Sequence, residues 1–182
     1  MSYATYPSLQ GRVVFISGGS SGIGAELVRA FAVQGAKVAF CGTKPNGGRP
    51  LIDEVVAAGH AAPWYGAVDV RDVEAYQALL ARAAAELGPI RVLVNNAGRD
   101  DRHKMEEVTS AFWDDRLALN LKHYFFAIQA VAPGMAKAGG GSVVIVENFE
   151  GVPLGRVAAH AVAQPEPGSA QHQLLVRRRE AR

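Results

Sequence analysis

The sequence predicts an α/β fold in which a doubly wound parallel sheet of about five strands has helices on both faces. Two observations support this fold: short apolar runs alternate with segments of helical periodicity, and glycine-rich or polar turns separate them. The alternation ends near residue 146, where the composition changes abruptly. We therefore divide the 182 residues into a domain over 1–146 and an irregular C-terminal segment over 147–182.

Three strands are predicted in the first part of the domain. Residues 12–16 form an apolar, β-branched run, and the segment after it repeats apolar residues every four positions, as one face of a helix does. That face consists of Ile23, Leu27 and Phe31. The second strand is predicted at 37–41 and the third at 63–68, with a helix at 51–58 between them.

The second part continues the alternation. A helix over 73–87 ends at Gly88-Pro89, and a strand at 90–94 follows. A long helix is predicted over 110–137 with Ser110 as its N-cap, before a fifth strand at 142–146. Strands separated by helices pair in parallel through right-handed crossovers, so the sheet is doubly wound. We expect the fifth strand to be an exposed edge.

A glycine-rich turn joins the first strand to the first helix. Residues 17–24 read Ser-Gly-Gly-Ser-Ser-Gly-Ile-Gly. Gly18 allows a tight turn, Gly22 lets a pyrophosphate approach the backbone, and Gly24 lets the helix pack closely. The N–H groups at the start of the helix favour an anion. The turn predicts a dinucleotide site; the alternative is a purely structural turn.

Polar residues also follow the third and fourth strands, at the sheet edge where open parallel sheets bind ligands. Asp69 can accept a hydrogen bond from an adenine amino group, or it can cap the helix that starts near Asp72. The Asn95-Asn96 pair can form a turn, and Ala97-Gly98 lets a flat nicotinamide approach the backbone. Asn120 lies inside a helix, where Asn is mildly unfavourable; it is either functional or solvent-facing.

The end of the second strand bears on the choice of cofactor. An acidic residue there would bind the ribose 2′-hydroxyl, but the chain reads Cys-Gly-Thr-Lys over residues 41–44. Lys44 and Arg49 can instead bind a 2′-phosphate through their positive charges. The alternative is that both are solvated loop charges. NAD and NADP remain open, and the sequence favours NADP.

Composition excludes several classes of protein. The net charge of +2 implies neither a nucleic-acid partner nor a membrane surface. No apolar run reaches the length of about 18 residues that a membrane span requires. The first ten residues lack the pattern of a signal peptide. Cys41 is the only cysteine and is interpreted as a buried structural thiol, so we expect a cytoplasmic location.

Together these motifs resemble the short-chain dehydrogenase/reductase family, which has a Rossmann-type fold and binds NAD or NADP. The match covers roughly residues 8–146, and its motifs are the glycine turn, Asp69-Val70, Asn95–Gly98 and Asn120. The resemblance implies a catalytic role for Asn120, through a water of a proton relay. It implies cofactor contacts at Ser17, Gly18, Ser20, Ser21, Gly22, Ile23, Gly24, Thr43, Lys44, Asp69, Val70, Asn96, Ala97 and Gly98.

A narrower resemblance concerns the substrate. Residues 95–103, 112–114 and 132–135 are similar to a subgroup of sugar 1-dehydrogenases that includes D-xylose dehydrogenase. This implies an oxidoreductase acting on the CH–OH group of a sugar or small polyol, in a family that is usually homo-oligomeric. His103 either contacts substrate or belongs to a solvated charged loop. We predict no metal site, because no set of residues has ligand spacing.

The last part of the chain departs from the family pattern. The family uses a Tyr-x-x-x-Lys pair, with a Ser or Thr that orients the substrate. Here Glu-Asn-Phe occupies 147–149, no Tyr follows Tyr124, and no Lys follows Lys137. His160 and Gln164 have the same separation, but Gln cannot supply a cation. Activity is therefore open, and the alternative function is a cofactor-binding fragment or pseudoenzyme without catalysis.

The segment after residue 150 has an unusual composition. Residues 151–182 contain no aromatic residue and no Lys, and 17 of these 32 residues are Ala, Gly, Pro or Arg. We expect this segment to be disordered or to come from a shifted reading frame of a longer enzyme. Its basic end at 177–182 leaves an interaction module as a third function, supported by charge alone.

Overall fold

The computed structural model describes residues 4–146 and 160–163. The strands are β1 Val13–Ile16, β2 Lys37–Gly42, β3 Trp64–Ala67, β4 Ile90–Asn95, β5 Ser142–Ile145 and β6 His160–Ala163. The α-helices are α1 Gly22–Val33, α2 Arg49–Ala57, α3 Val73–Leu87, α4 Ser110–Leu117 and α5 His123–Lys137. Short 3₁₀ turns lie at Pro7–Leu9 and Met105–Glu107, and a π-helical turn at Ala118–Lys122 joins α4 to α5.

The sheet has the strand order β3-β2-β1-β4-β5-β6. The first five strands in this order are all parallel, which confirms the predicted doubly wound α/β fold. The sixth, β6, pairs antiparallel with β5. The expectation that β5 is an exposed edge is therefore wrong, because residues 160–163 occupy its free side. Residues 160–163, which follow the predicted domain limit at residue 146, thus pair with the sheet.

Both faces of the sheet are buried, as the four successive apolar residues of β1 require. Val14 and Ile16 point into a core that they form with α1 and α2. Val13 and Phe15 point to the opposite face, where they pack with α3 and α5. Phe15 and Ile16 are fully buried. Each such side chain stabilises the fold by about 1.5–3 kcal/mol relative to an exposed one.

The long helix predicted over 110–137 is interrupted by a π-helical turn. Its N-cap is Thr109, whose hydroxyl accepts a hydrogen bond from the Phe112 N–H at 3.1 Å, so the prediction of Ser110 as the cap is wrong by one residue. The π-helical turn spans Ala118–Lys122 and contains Asn120. Such turns occur mostly as single insertions in α-helices, frequently at functional sites.

The parallel sheet brings the candidate residues together. The turns that follow β1, β2, β3 and β4 all leave from the carboxyl edge of the sheet, where open α/β folds bind their ligands. None of the helices in the described part of the chain is both long and apolar enough to cross a membrane.

Candidate functional site

A cleft of about 1150 Å³ opens at the carboxyl edge of the sheet. It is roughly the size of the largest small-molecule sites, which suits an extended ligand such as a dinucleotide. Thirteen of the predicted site residues, from five separate segments of the chain, line it. These are Gly18, Ser20, Ser21, Ile23, Gly24, Thr43, Lys44, Asp69, Val70, Asn96, Ala97, Gly98 and Asn120.

Two predicted contacts lie elsewhere. Ser17 is fully buried and does not line the cleft, and its hydroxyl accepts the backbone N–H groups of Asn96 and Ala97, both at 2.9 Å. Ser17 therefore positions the turn after β4. Gly22 is exposed at the start of α1 and also lies outside the lining residues.

The glycine turn is built for close backbone contacts. Gly18 has φ +68°, and a Cβ there would lie 3.0 Å from Ala97 Cα. A Cβ at Gly24 would lie 2.1 Å from the Gly18 carbonyl oxygen and 2.7 Å from Asn96 Nδ2. Gly24 is thus required by the turn itself, rather than by helix–sheet packing as the sequence suggested.

The start of α1 suits an anionic ligand. Ser21 precedes the helix in an extended conformation, and its side chain makes no capping hydrogen bond. The first N–H groups of a helix need partners, and here the cap does not supply one. A Cβ at Gly22, which has φ +54°, would meet nothing within 4 Å among the described residues. The residues present therefore fit a phosphate group at this helix terminus.

Asn96 locks the two turns together. Its Nδ2 donates to the carbonyl oxygens of Ser17 and Gly18 at 3.0 and 3.2 Å, and its own N–H donates to the Ser17 hydroxyl. The Asn96 side chain thus connects two distant segments, and Asn96 also lines the cleft. Asn95 is fully buried behind it.

Asn120 holds the segment after β4. Its Oδ1 accepts the Arg99 N–H at 2.8 Å, and its Nδ2 donates to the Arg99 carbonyl oxygen at 3.0 Å. Both polar ends of the side chain are occupied, so the alternative of a solvent-facing Asn is wrong. The geometry makes Asn120 a clamp on the cleft wall.

The next helical turn supports the same wall. The Ala97 carbonyl oxygen accepts hydrogen bonds from His123 Nε2 at 3.0 Å and from the Tyr124 hydroxyl at 3.3 Å. His123 is fully buried, and burial lowers its pKa. Burial therefore favours the neutral imidazole, and Nε2 is the donor in this hydrogen bond because a carbonyl oxygen can only accept. Tyr124 also lines the cleft, and the sequence analysis missed both residues.

Asp69 is held by Arg71. Arg71 donates to the carboxylate from its backbone N–H at 3.0 Å, from Nε at 3.0 Å and from Nη2 at 2.5 Å. These hydrogen bonds lower the pKa of Asp69, which stays an acceptor. The cap of α3 is Asp72, which accepts the Ala75 N–H at 3.0 Å, so the capping alternative for Asp69 is wrong.

Thr43 and Lys44 line the cleft just after β2, and the segment 41–44 contains no acidic residue. Arg49 lies outside the cleft and pairs with Asp53 at 2.9 Å. Cys41 borders the cleft but is fully buried, and burial raises the pKa of its thiol to about 12. Its burial agrees with the predicted buried structural thiol.

His103 does not line the cleft. Its Nδ1 lies 2.7 Å from the Asp101 carbonyl oxygen, and its ring packs edge-on against Phe112 at 4.6 Å. Within the described residues no group of acidic, His or Cys side chains could hold a metal ion. The predictions for 147–149, Gln164 and the rest of the C-terminal segment lie outside the described residues, apart from 160–163.

Comparison with known proteins decides the family. The sequence profile of the short chain dehydrogenases matches residues 12–161. The chain belongs to this family.

Members that act on sugars are among its similar relatives. The chain is 49% identical over 147 residues to a probable galactose dehydrogenase from Rhizobium meliloti (strain 1021), covering 81% of this chain and 56% of that protein. It is 50% identical over 144 residues to D-xylose 1-dehydrogenase from Caulobacter vibrioides (strain NA1000 / CB15N), covering 79% and 56%. The chain thus spans a little over half the length of these relatives.

Solved structures of the family share the fold. A metagenomic short-chain oxidoreductase in complex with NADP has a TM-score of 0.73 and 32% identity, over 81% of this chain and 67% of that one. A 7α-hydroxysteroid dehydrogenase complexed with NADH also has a TM-score of 0.73, with 29% identity over 77% and 54%. The predicted cofactor class, NAD or NADP, agrees with the cofactors named for these two structures.

Proposed function

We propose that the cleft binds a nicotinamide dinucleotide and that this chain acts, within its family, in oxidation or reduction of the CH–OH group of a sugar or small polyol. The observation that carries the proposal is the convergence of predicted residues from five chain segments on one cleft. Each segment offers the chemistry that one part of a dinucleotide needs.

The cofactor-binding roles follow from that chemistry. The start of α1, with Gly22 at its first position, suits the pyrophosphate. The Asp69 carboxylate suits the adenine amino group, and the backbone at Ala97 and Gly98 suits the flat nicotinamide ring. A bound nicotinamide would exchange a hydride with the substrate carbon. Lys44, which lines the cleft just after β2, supports NADP over NAD, since its ammonium group can donate hydrogen bonds to a 2′-phosphate.

The part of the cleft beside Gly98 supports a polyhydroxylated substrate. Arg99, Asp100 and Arg116 line it, and together they offer hydrogen-bond donors and acceptors to hydroxyl groups. The galactose and D-xylose dehydrogenases among the relatives also support a sugar substrate. We infer a role for Asn120 in the proton relay, because its clamp on Arg99 fixes this wall. A cytoplasmic location stays our prediction.

Binding without turnover is the second candidate function. It is favoured by the sequence, which contains no Tyr-x-x-x-Lys. Hydride transfer at an alcohol carbon needs a positioned acid/base, and the family takes it from that pair. We also propose that residues 147–182 come from a shifted reading frame. Reading the codons after 146 in the other two frames tests this, and the idea fails if neither frame encodes Tyr-x-x-x-Lys.

A two-part experiment separates the functions. NADH and NADPH are titrated with the protein while the fluorescence of the reduced nicotinamide is followed, and D-xylose and D-galactose are then assayed with NAD and NADP. Saturable binding with formation of reduced cofactor supports the dehydrogenase. Saturable binding without turnover supports the second candidate. The absence of binding contradicts both.

A further inference from the structure

A continuous series of ion pairs runs along one side of the cleft. Asp69 pairs with Arg71 at 2.5 Å, and Arg71 pairs with Asp115 at 2.7 Å. Asp115 also pairs with Arg116, and Arg116 pairs with Asp101. The series begins at the residue proposed to bind adenine and ends in the segment after β4. We call these five residues the ionic bridge.

Asp115 is the central member of the ionic bridge. It lies on α4 and does not line the cleft, whereas both of its arginine partners do. Its Oδ1 accepts from Arg71 Nη1 and its Oδ2 accepts from Arg116 Nη2. These two hydrogen bonds lower the pKa of Asp115, which is ionised at neutral pH. One carboxylate thus holds two guanidinium groups, each with a separate oxygen.

Each of the two arginines also pairs with a second acidic residue. Arg71 uses Nη1 for Asp115 and presents Nε and Nη2 to Asp69, a planar two-point contact that fixes the direction of the carboxylate. Arg116 is mostly buried and lies over the Phe112 ring at 5.4 Å. Its Nη1 holds Asp101, which also receives Arg99 Nε at 2.9 Å.

The ion pairs of Asp69, Arg71 and Asp115 are too exposed to contribute much to the stability of the fold. The side chains of Asp69, Arg71 and Asp115 are 40%, 44% and 36% exposed. Ion pairs at such sites contribute little to the free energy of folding, because water screens the charges. Their geometry has a larger consequence, since a carboxylate held in one direction loses less conformational freedom when it binds a ligand.

We propose that Asp115 is a positioning residue that orients the Asp69 carboxylate for adenine through Arg71 and couples it, through Arg116 and Asp101, to the segment after β4. The inference rests on the proposed function, because it takes Asp69 as the adenine acceptor. Asp115 itself touches neither end of the cleft.

The test is the Asp115→Asn variant. Asn offers one acceptor oxygen and one NH₂ donor, so it must turn a donor towards one of the two arginines. Asp114→Asn is the matched control, since it makes the same change at the neighbouring exposed residue of α4. Dissociation constants of NADH and of reduced nicotinamide mononucleotide, which lacks adenine, are measured for each protein by fluorescence titration.

Asp115→Asn is expected to weaken NADH binding by about three- to tenfold and to change mononucleotide binding by less than about twofold, whereas Asp114→Asn changes neither. Asp101→Asn is expected to weaken NADH binding in the parent protein but not in the Asp115→Asn background, because both changes break the same series of contacts. This selective, non-additive pattern would not arise from a general loss of stability.

Equal effects of Asp115→Asn on both ligands, or NADH binding like that of Asp114→Asn, overturn the inference while leaving the proposed function intact. If thermal unfolding shows that Asp115→Asn does not fold, Asp101→Asn alone decides: a selective loss of NADH affinity supports the coupling, and an unchanged affinity overturns it. If the parent protein binds neither ligand, the proposed function and the inference fall together.

Discussion

Replacement of Gly24 by alanine tests whether the glycine turn is folded as described. The added Cβ would lie 2.1 Å from the Gly18 carbonyl oxygen and 2.7 Å from Asn96 Nδ2. The atom nearest to it belongs to the backbone, so no side-chain rotation can relieve the contact. Overpacking of this kind costs about 1–3 kcal/mol of folding free energy. It also disturbs the Asn96 hydrogen bond to Gly18.

The same substitution at Gly134 is a control with the opposite sign. Gly134 lies in α5, and a Cβ there would meet nothing within 4 Å among the described residues. Alanine is favoured over glycine inside a helix by about 0.5–1 kcal/mol, so Gly134→Ala is expected to stabilise the fold.

Thermal unfolding followed by circular dichroism measures both effects. In a chain of this size each kcal/mol shifts Tm by roughly 2–4 °C, so Gly24→Ala is expected to melt below the parent protein and Gly134→Ala slightly above it. The reasoning is refuted if the Tm of Gly24→Ala equals or exceeds that of the parent protein, because the turn would then accommodate a Cβ that clashes in the structure. The affinity for NADH is expected to fall in Gly24→Ala and to stay unchanged in Gly134→Ala.

Three further predictions follow from which side chains are buried and which are exposed. Cys41, with its raised pKa, should not react with a thiol reagent at pH 8 until the protein is unfolded; fast modification of the native protein would contradict this. Burial lowers the pKa of His123, so below about pH 6.5 the unfolded chain binds more protons than the folded chain. The free energy of unfolding, measured by denaturant titration, should therefore fall from pH 7 to pH 5. It should fall less steeply in His123→Gln, and an equal slope in both proteins would contradict this. Trp113, Leu117, Leu121 and Phe125 recur every four residues along α4, the π-helical turn and α5, and all four are at least 41% exposed. We propose a homo-oligomer through this apolar stripe; Phe125→Ser should lower the mass measured by light scattering, and Val33→Ser on α1 should not.

The elements that local sequence determines were predictable. The apolar runs of β1 to β5 and the glycine turn depend on burial and backbone conformation at consecutive residues, and the structure places all of them near their predicted limits. Asp69 and Asn96 were found because parallel strands deliver their carboxyl ends to one edge. The motif spacing of a known family then assigned these positions a chemistry.

Contacts between distant segments could not be predicted from one sequence. Arg71 and Asp115 are 44 positions apart, and nothing in either local sequence pairs them. Ser17 looked like a ligand contact from its place in the motif, yet its hydroxyl turns inward to residues 79 and 80 positions away. The antiparallel pairing of 160–163 with β5 was missed because that segment has little apolar alternation.

The most direct test of the dinucleotide site is the mapping of NAD⁺ and NADP⁺ binding on backbone amide resonances by ¹H–¹⁵N NMR. We expect saturable shifts that cluster at the carboxyl edge of the sheet, in Gly18–Gly24, at Val70, in Asn96–Gly98 and at Asn120, with small changes at the opposite edge. Shifts confined to the amino edge of the sheet, or no saturation at millimolar cofactor, would contradict the assignment of this cleft.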